Sequence, residues 1–147
     1  MKETPDTPAE LKARALRFLV RREHSRAELV RKLAPHAESP EALNAVVDLL
    51  LSRKHLSDER FAEERARSLS RKYGAAKIRQ DLKARGVADE VAGRASAGLN
   101  DLDRAKEILR RKYREPAATR EERAKRARFL QGRGFSYEVI SSVLKID

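Results

Sequence analysis

Residues 71–87 have the sequence RKYGAAKIRQDLKARGV, in which a basic helix end leads through a glycine turn into a second basic, amphipathic helix. Residues 21–33, RREHSRAELVRKL, repeat the pattern 49 positions earlier, and residues 128–135, RFLQGRGF, lie over residues 80–87 with a shift of 48. Such a period is typical of stacked helical units whose apolar faces close only against their neighbours. The pattern favours a protein that binds something long over an enzyme.

The composition predicts an all-α protein. Ala, Leu, Arg, Lys and Glu dominate the 147 residues, and all five are strong helix formers. No stretch alternates β-branched and aromatic residues in the manner of a half-buried strand. The chain is long enough to bury a usable core, either as one object or as a short array of units.

Start signals divide the chain into nine helices in three groups of three. Ser25 with Glu28, and Thr119 with Glu122, form capping boxes that begin two of them, and the last helix is predicted to run to Ile146. We predict a disordered N-terminus at 1–10 and three-helix repeats at 11–56, 57–100 and 101–147. The helical spacing predicts these core residues: Leu29, Leu33, Leu50, Ile78, Leu82, Leu130 and Val143, with Tyr113 at the margin.

Charge follows the same period. The formal net charge is +11, and the basic blocks 11–36 (+6), 65–85 (+7) and 104–133 (+8) are separated by the acidic blocks 38–64 (−4) and 86–103 (−3). If the units stack by a constant operation, the basic blocks align on one side and form a stripe that binds nucleic acid or an acidic protein surface. The alternative is that each block is simply a solvated basic face.

No catalytic constellation occurs in the sequence. It has no phosphate-binding glycine loop and no cysteine, and His24, His36 and His55 are scattered without metal-ligand spacing. His24 is interpreted as a helix-ending residue whose partial positive charge suits the helix dipole. We therefore expect no enzyme, no cofactor and no metal. The sequence also lacks an apolar run of transmembrane or signal-peptide type, so we expect a soluble, cytoplasmic protein.

The three tyrosines, Tyr73, Tyr113 and Tyr137, have alternative interpretations. Tyr73 and Tyr113 each follow an Arg-Lys pair, where an aromatic ring beside cations can stack on unpaired bases. The commoner role for such a tyrosine is to cap the core while its hydroxyl stays in water.

Four segments resemble successive motifs of the RecX family. They are residues 23–29 (EHSRAEL), 58–63 (DERFAE), 73–82 (YGAAKIRQDL) and 128–140 (RFLQGRGFSYEVI). The resemblance covers nearly the whole chain, from about Leu11 to Lys145. The chain departs from the family's pattern at Ala75, where proline is frequent, and in a less acidic stretch after its first Leu-rich helix.

The resemblance implies an elongated, curved array of three three-helix units that lies in the groove of the RecA–DNA filament. It implies inhibition of RecA recombinase, ATPase and coprotease activities, by blocked filament extension or by disassembly, and hence modulation of DNA repair, homologous recombination and the SOS response. The expected partners are the RecA nucleoprotein filament and, weakly and with steep salt dependence, single- and double-stranded DNA. No membrane partner is expected, and the protein is expected to be a monomer.

The basic stripe supplies the candidate docking residues. They are Arg71, Lys72, Lys77, Arg79, Lys83, Arg85, Arg110, Arg111, Lys112, Lys125, Arg126 and Arg128. Their role is electrostatic, and reversing the charge of Lys77, Lys83 and Arg85 is expected to leave the fold intact. Two other hypotheses remain: a general basic DNA-binding helical protein independent of RecA, and a small RNA-associated structural protein, which fits the composition but not the ordered motifs.

Overall fold

The computed structural model describes residues 4–145, which form nine α-helices joined by short turns. The first unit contains α1 (Pro8–Arg21), α2 (Arg26–Leu33), a short 3₁₀ helix (Ala34–His36) and α3 (Pro40–Ser52). The second contains α4 (Asp58–Leu69), α5 (Ala75–Ala84) and α6 (Asp89–Ala97), and the third α7 (Asp101–Lys112), α8 (Arg120–Gly132) and α9 (Tyr137–Leu144). No strand occurs within residues 4–145, so the predicted all-α fold of three three-helix units is confirmed.

Side-chain caps explain where most of the helices begin. Thr7, Ser25 and Thr119 each start a capping box, in which the hydroxyl accepts from the N–H three residues on and a Glu there accepts from the cap's own N–H. The predicted boxes at Ser25 and Thr119 are thereby confirmed. Four more helices start at side-chain caps without a box: Ser39, Ser57, Asn100 and Ser136.

The predicted disorder of the N-terminus is wrong for residues 6–10. Thr7 caps α1, which already begins at Pro8. Asp6 is only 4% exposed: its carboxylate accepts two hydrogen bonds from the Arg14 guanidinium, at 2.8 and 3.3 Å, and its N–H donates to the carbonyl of His36 at 2.8 Å. The local signal for this early helix start is the capping box of Thr7 and Glu10. Residues 1–3 lie outside the described residues.

Each unit has its own cluster of buried apolar side chains. Val143 is half-buried at the edge of the third cluster, so its prediction as a core residue is wrong. The reason is that α9 ends at Leu144, where Lys145 turns into the left-handed conformation at φ 55°; the predicted helix end, Ile146, lies outside the described residues. Tyr113 is likewise half-buried. The other predicted core residues are all fully buried: Leu29, Leu33, Leu50, Ile78, Leu82 and Leu130.

One contact is repeated between successive units. The turn after the first helix of one unit docks on the end of the second helix of the next. The Ser25 hydroxyl donates to the Arg85 carbonyl at 2.7 Å, and the Gly74 N–H donates to the Arg133 carbonyl at 2.7 Å. Both acceptors are helix C-cap residues, whose neighbouring carbonyls have no partner of their own further along the helix. The stacking predicted from the sequence period thus rests on helix ends that complete each other.

Glycines permit this approach at the second junction. A Cβ at Gly74 would overlap the carbonyl oxygen of Gly134, and a Cβ at Gly134, which has φ +92°, would lie 2.5 Å from the Cβ of Lys77. At the first junction Gly86, with φ +89°, presses in the same way on Ala27. A side chain at any of these glycines would push two units apart.

We predict that Gly74→Ala destabilises the protein by about 1–3 kcal/mol, the usual cost of overpacking. Gly74 has φ −79°, a conformation open to alanine, so the loss would come from the junction and not from backbone strain. The matched control is Gly132→Ala, at the end of α8 with no atom within 4 Å of the added Cβ. Urea unfolding followed by circular dichroism measures the free energy of unfolding of each variant. Equal stabilities of the two variants would contradict the close approach of the turns.

Candidate partner-binding surface

The predicted basic residues of α5 lie on its exposed side. Ile78 and Leu82 are fully buried, and Lys77, Arg79 and Lys83 are exposed. Together with the end of α8 these three cations line a shallow cleft of about 590 Å³ between the second and third units. The Lys77 ammonium also donates to the carbonyl of Gly132 at 2.9 Å, so one of the three is part of the junction.

Asp89, at the start of α6, is the counter-ion of Arg79 and Lys83. It accepts hydrogen bonds from Arg79 at 2.6 and 3.0 Å, and its Oδ1 lies 3.3 Å from the Lys83 ammonium. The hydrogen bond from Arg79, followed by that from Lys83, holds the pKa of Asp89 below its usual value. The cleft therefore carries its own counter-ion, although all three groups remain reachable by solvent.

Arg85 is a junction residue, and its ion pairs argue against the expectation that its charge can be reversed without harm to the fold. Its guanidinium binds Glu28 of the first unit at 3.0 Å and Asp81 at 3.2 Å. Glu28 is only 7% exposed and also binds Arg22 at 3.1 Å. Glutamate at position 85 would bring a third carboxylate beside two others, one of them buried. Local spacing gave no sign of this, because Glu28 and Arg85 are 57 residues apart.

The two carboxylates of this junction are held in the ionised form. Burial alone would raise the pKa of Glu28, but hydrogen bonds from Arg22, the Ser25 N–H and Arg85 lower it below its usual value. For Asp81, burial alone would again raise the pKa, but the hydrogen bonds and positive charges of Arg65 and Arg85 lower the pKa below its usual value. A continuous network of ion pairs thus joins the first unit to the second.

Two of the predicted residues of the third unit make contacts within the protein. Arg110 pairs with Glu107 on the same helix, with hydrogen bonds of 2.6 and 3.0 Å. Arg111 reaches back to the second unit and donates to the carbonyl of Arg71 at 2.7 Å. Arg111 therefore holds the second junction, whereas Arg110 is an exposed pair on the surface.

A run of alternating cations and aromatic rings crosses the second junction. This cation–aromatic seam consists, in order, of Lys77, Tyr73, Arg133, Phe129, Lys112, Tyr113 and Arg126. Each neighbouring charge lies 4.1–5.8 Å from a ring centroid, a distance at which cation and ring attract. Tyr73 and Tyr113 are half-buried and covered by these cations, which favours their interpretation as caps of the core over free stacking platforms.

Four predicted residues remain without an internal partner. The side chains of Arg71, Lys72, Lys125 and Arg128 are exposed and make no hydrogen bond or ion pair within residues 4–145. Arg71 and Lys72 lie on the turn between α4 and α5, and Lys125 and Arg128 are three residues apart on α8. Of the predicted stripe, these are the charges most available to a partner.

Two arginines at the second junction, Arg133 and Arg104, are absent from the residues predicted from the sequence. Arg133 lies in the seam, and its alignment with Arg85 in the repeat was the available signal. Arg104 lies under the α4–α5 turn, where it donates to the carbonyls of Ser70 and Tyr73 and pairs with Asp101. Its pairing with Asp101, three residues away, is local, but no local pattern predicts its contacts with the turn.

His24 is 1% exposed, and burial lowers its pKa. Its Nδ1 lies 3.0 Å from the Arg22 carbonyl and its Nε2 lies 2.8 Å from the Lys32 ammonium. Since an ammonium can only donate, Nε2 accepts and the ring is neutral. The expectation of a partial positive charge on His24 is therefore wrong.

The part of the chain that the structure describes contains neither a candidate metal site nor a membrane-spanning helix. No group of three or more His, Cys, Asp or Glu side chains there could hold a metal ion. No helix within the same residues is long and apolar enough to cross a membrane.

The sequence matches three family models, one for each unit. They are described as the first, second and third three-helix domains of RecX and match residues 12–50, 57–95 and 100–144. The Regulatory protein RecX of Ralstonia nicotianae is 45% identical over 143 residues, covering 96% of this chain and 90% of the relative. The Regulatory protein RecX of Leptothrix cholodnii is 44% identical over 138 residues, covering 92% of this chain and 88% of the relative.

The fold has a close match among solved structures. The crystal structure of RecX from Lactobacillus salivarius superposes with a TM-score of 0.81 at 20% sequence identity, covering 94% of each chain. At that identity the likeness shows the fold alone. The three-unit arrangement is therefore maintained while most residues differ.

We predict that the junction network makes stability depend on pH. Because the pKa of Glu28 is lowered in the folded state, its contribution is present above its ordinary pKa of 4.5 and is lost as the pH falls through the folded value. Glu28→Gln should therefore be less stable than the parent at neutral pH, and the two should converge in acid. Thermal unfolding at several pH values measures this. Glu64→Gln, at an exposed position outside the network, is the control; a constant difference between Glu28→Gln and the parent at all pH values would contradict the assignment.

Proposed function

Because the chain belongs to the RecX family, we propose that it inhibits the RecA recombinase by binding in the groove of the RecA–DNA filament. Bound there, it blocks filament extension or promotes disassembly, and so modulates DNA repair and recombination. The homologous proteins are named as regulatory proteins, which supports a regulatory role. The groove and the residues that bind it are our proposal.

The observation that carries the proposal is the repeated junction between units. Both junctions join the turn after a unit's first helix to the end of the next unit's second helix, so the same contact recurs along the array. A filament groove offers equivalent subsites at regular intervals. A ligand with regularly spaced units can occupy several of them in one binding event, and each contact after the first gains from the high effective concentration.

The free cations supply the attraction. The unpartnered side chains at Arg71 and Lys72, and at Lys125 and Arg128, can face acidic protein surface or DNA phosphates without giving up a bond within the chain. Complementary charge of this kind speeds association and sets the orientation of the partners. It also makes binding sensitive to salt.

The proposed role requires no chemistry by this chain. The residues contain no phosphate-binding glycine loop, and the regulator acts by occupying its partner. We therefore expect the purified protein alone to hydrolyse neither ATP nor DNA. The hydrolysis measured in a mixture belongs to the recombinase.

A general DNA-binding protein independent of RecA remains the second candidate, and the aromatic side chains argue against it. Proteins that bind single strands tightly stack bases on free rings. In this chain the rings of Tyr73 and Tyr113 are covered by the chain's own cations, and Tyr137, at 70% exposed, is the most open ring within residues 4–145. DNA binding by the chain alone should therefore be weak and should fall steeply with salt.

We predict that Arg71→Glu/Lys72→Glu loses most of its inhibition of RecA-catalysed ATP hydrolysis and strand exchange while keeping its fold. The matched control is Arg17→Glu/Arg31→Glu, which makes the same change of charge at exposed positions of the first unit. Circular dichroism confirms the fold of both. Full inhibition by the first variant at physiological salt would contradict the proposed docking residues. Failure of the parent protein to inhibit at all would contradict the proposed function.

We further predict that Asp89→Asn inhibits at a lower concentration than the parent. The change removes the counter-ion of Arg79 and Lys83 and leaves the side-chain shape unchanged. The control is Glu90→Gln, one residue further along α6, exposed and without an ion pair in the described part of the chain. The concentration for half-inhibition of RecA ATPase is the measurement. A weaker Asp89→Asn inhibitor would show that the α5 cations do not contact the partner.

A further inference from the structure

We propose that the third unit carries a second docking site, a basic cleft that takes an acidic, amphipathic segment of a protein partner. The cleft has a volume of about 970 Å³. It is bounded by one side of α7, the α7–α8 loop, the first half of α8 and the end of α9. It goes beyond the proposed function and does not depend on it.

The cleft exists because the third unit departs from the other two. Its first two helices are joined by seven residues, 113–119, whereas the corresponding turns are 22–25 and 70–74. The single fully buried side chain of α8 is Leu130, near the end of the helix. The first half of α8 therefore contributes nothing to the core and forms one wall of an open groove.

The walls are strongly basic. Among residues 4–145, seven cationic side chains and a single carboxylate, that of Glu115, line the cleft. Arg110 is paired with Glu107, but Lys106, Arg114, Arg120 and Arg123 have no ion pair within residues 4–145. So many unpaired charges around one concave surface repel one another, and an anionic occupant relieves that repulsion.

The floor is aliphatic. Leu109, Val143 and Leu144 line it between the charged walls, and the latter two are half-buried, so apolar surface remains to be covered. The aromatic side chain in the cleft, Tyr113, has Arg126 over its ring at 4.2 Å and offers no platform for a base. Aliphatic side chains flanked by carboxylates fit this surface better than a nucleic-acid strand, which needs exposed rings.

The test is fluorescence anisotropy with a short, fluorescein-labelled helical peptide made of Glu and Leu. The parent protein should bind it at physiological salt, and Arg120→Glu/Arg123→Glu should weaken binding by about tenfold through lost attraction and added repulsion. Both substitutions put negative charge near the start of α8, where the helix dipole favours it, so folding is preserved. The matched control is again Arg17→Glu/Arg31→Glu, which should bind like the parent.

Two comparison probes identify the occupant. A peptide with Ala in place of Leu should bind more weakly, since it cannot cover the floor. The binding of labelled oligothymidylate should not depend on Arg120 and Arg123. The proposal is overturned if the Glu–Leu peptide does not bind, if both double variants bind it equally, or if the nucleic acid is the probe that the cleft variant loses. No recombinase is present in the assay, so its failure would leave the proposed function standing.

Discussion

The fold depends on the docking of one unit's first turn against the end of the next unit's second helix. Each unit spans only some 40 residues, and a domain of that size buries too little apolar surface to be secure alone. The turn contacts between units add to the stability that each unit lacks on its own. Ser25 and Gly74 donate to carbonyls that the helices leave unused, and glycines let the backbones meet without intervening side chains. In such an array each unit stabilises its neighbour.

The same junctions engage part of the protein's positive charge. A net charge of +11 suggests a uniformly basic binding surface, yet Arg85, Arg104 and Arg111 bind carbonyls or carboxylates of an adjacent unit. Guanidinium groups suit this task because their donors form a planar fork that satisfies several acceptors at once. Positive charge in this protein therefore has two uses, holding the units together and facing a partner, and only the geometry separates them.

Local signals could be predicted from the sequence, and contacts between distant segments could not. The capping boxes at Ser25 and Thr119 and the buried stripe of Ile78 and Leu82 involve residues three or four apart, so their chemistry is visible in the chain itself. The partners of Arg85 and Arg104 lie up to 57 residues away and depend on how units stack. The order at Asp6 depends on Arg14 and His36 of the same unit, whereas the capping box of Thr7 and Glu10 beside it is a local signal that could have been read from the sequence.

The segment before α1 gives the array a direction. The Asp6 N–H donates to the carbonyl of His36 at the end of the first unit's second-helix region, the place at which the later units receive a neighbour's turn. That end is thus closed by the chain itself, while the first turn of the third unit is an open seven-residue loop. Contacts that run head to tail make the two ends of an object different. A partner that is itself polar, with unlike ends, will accept such an array in only one of its two orientations.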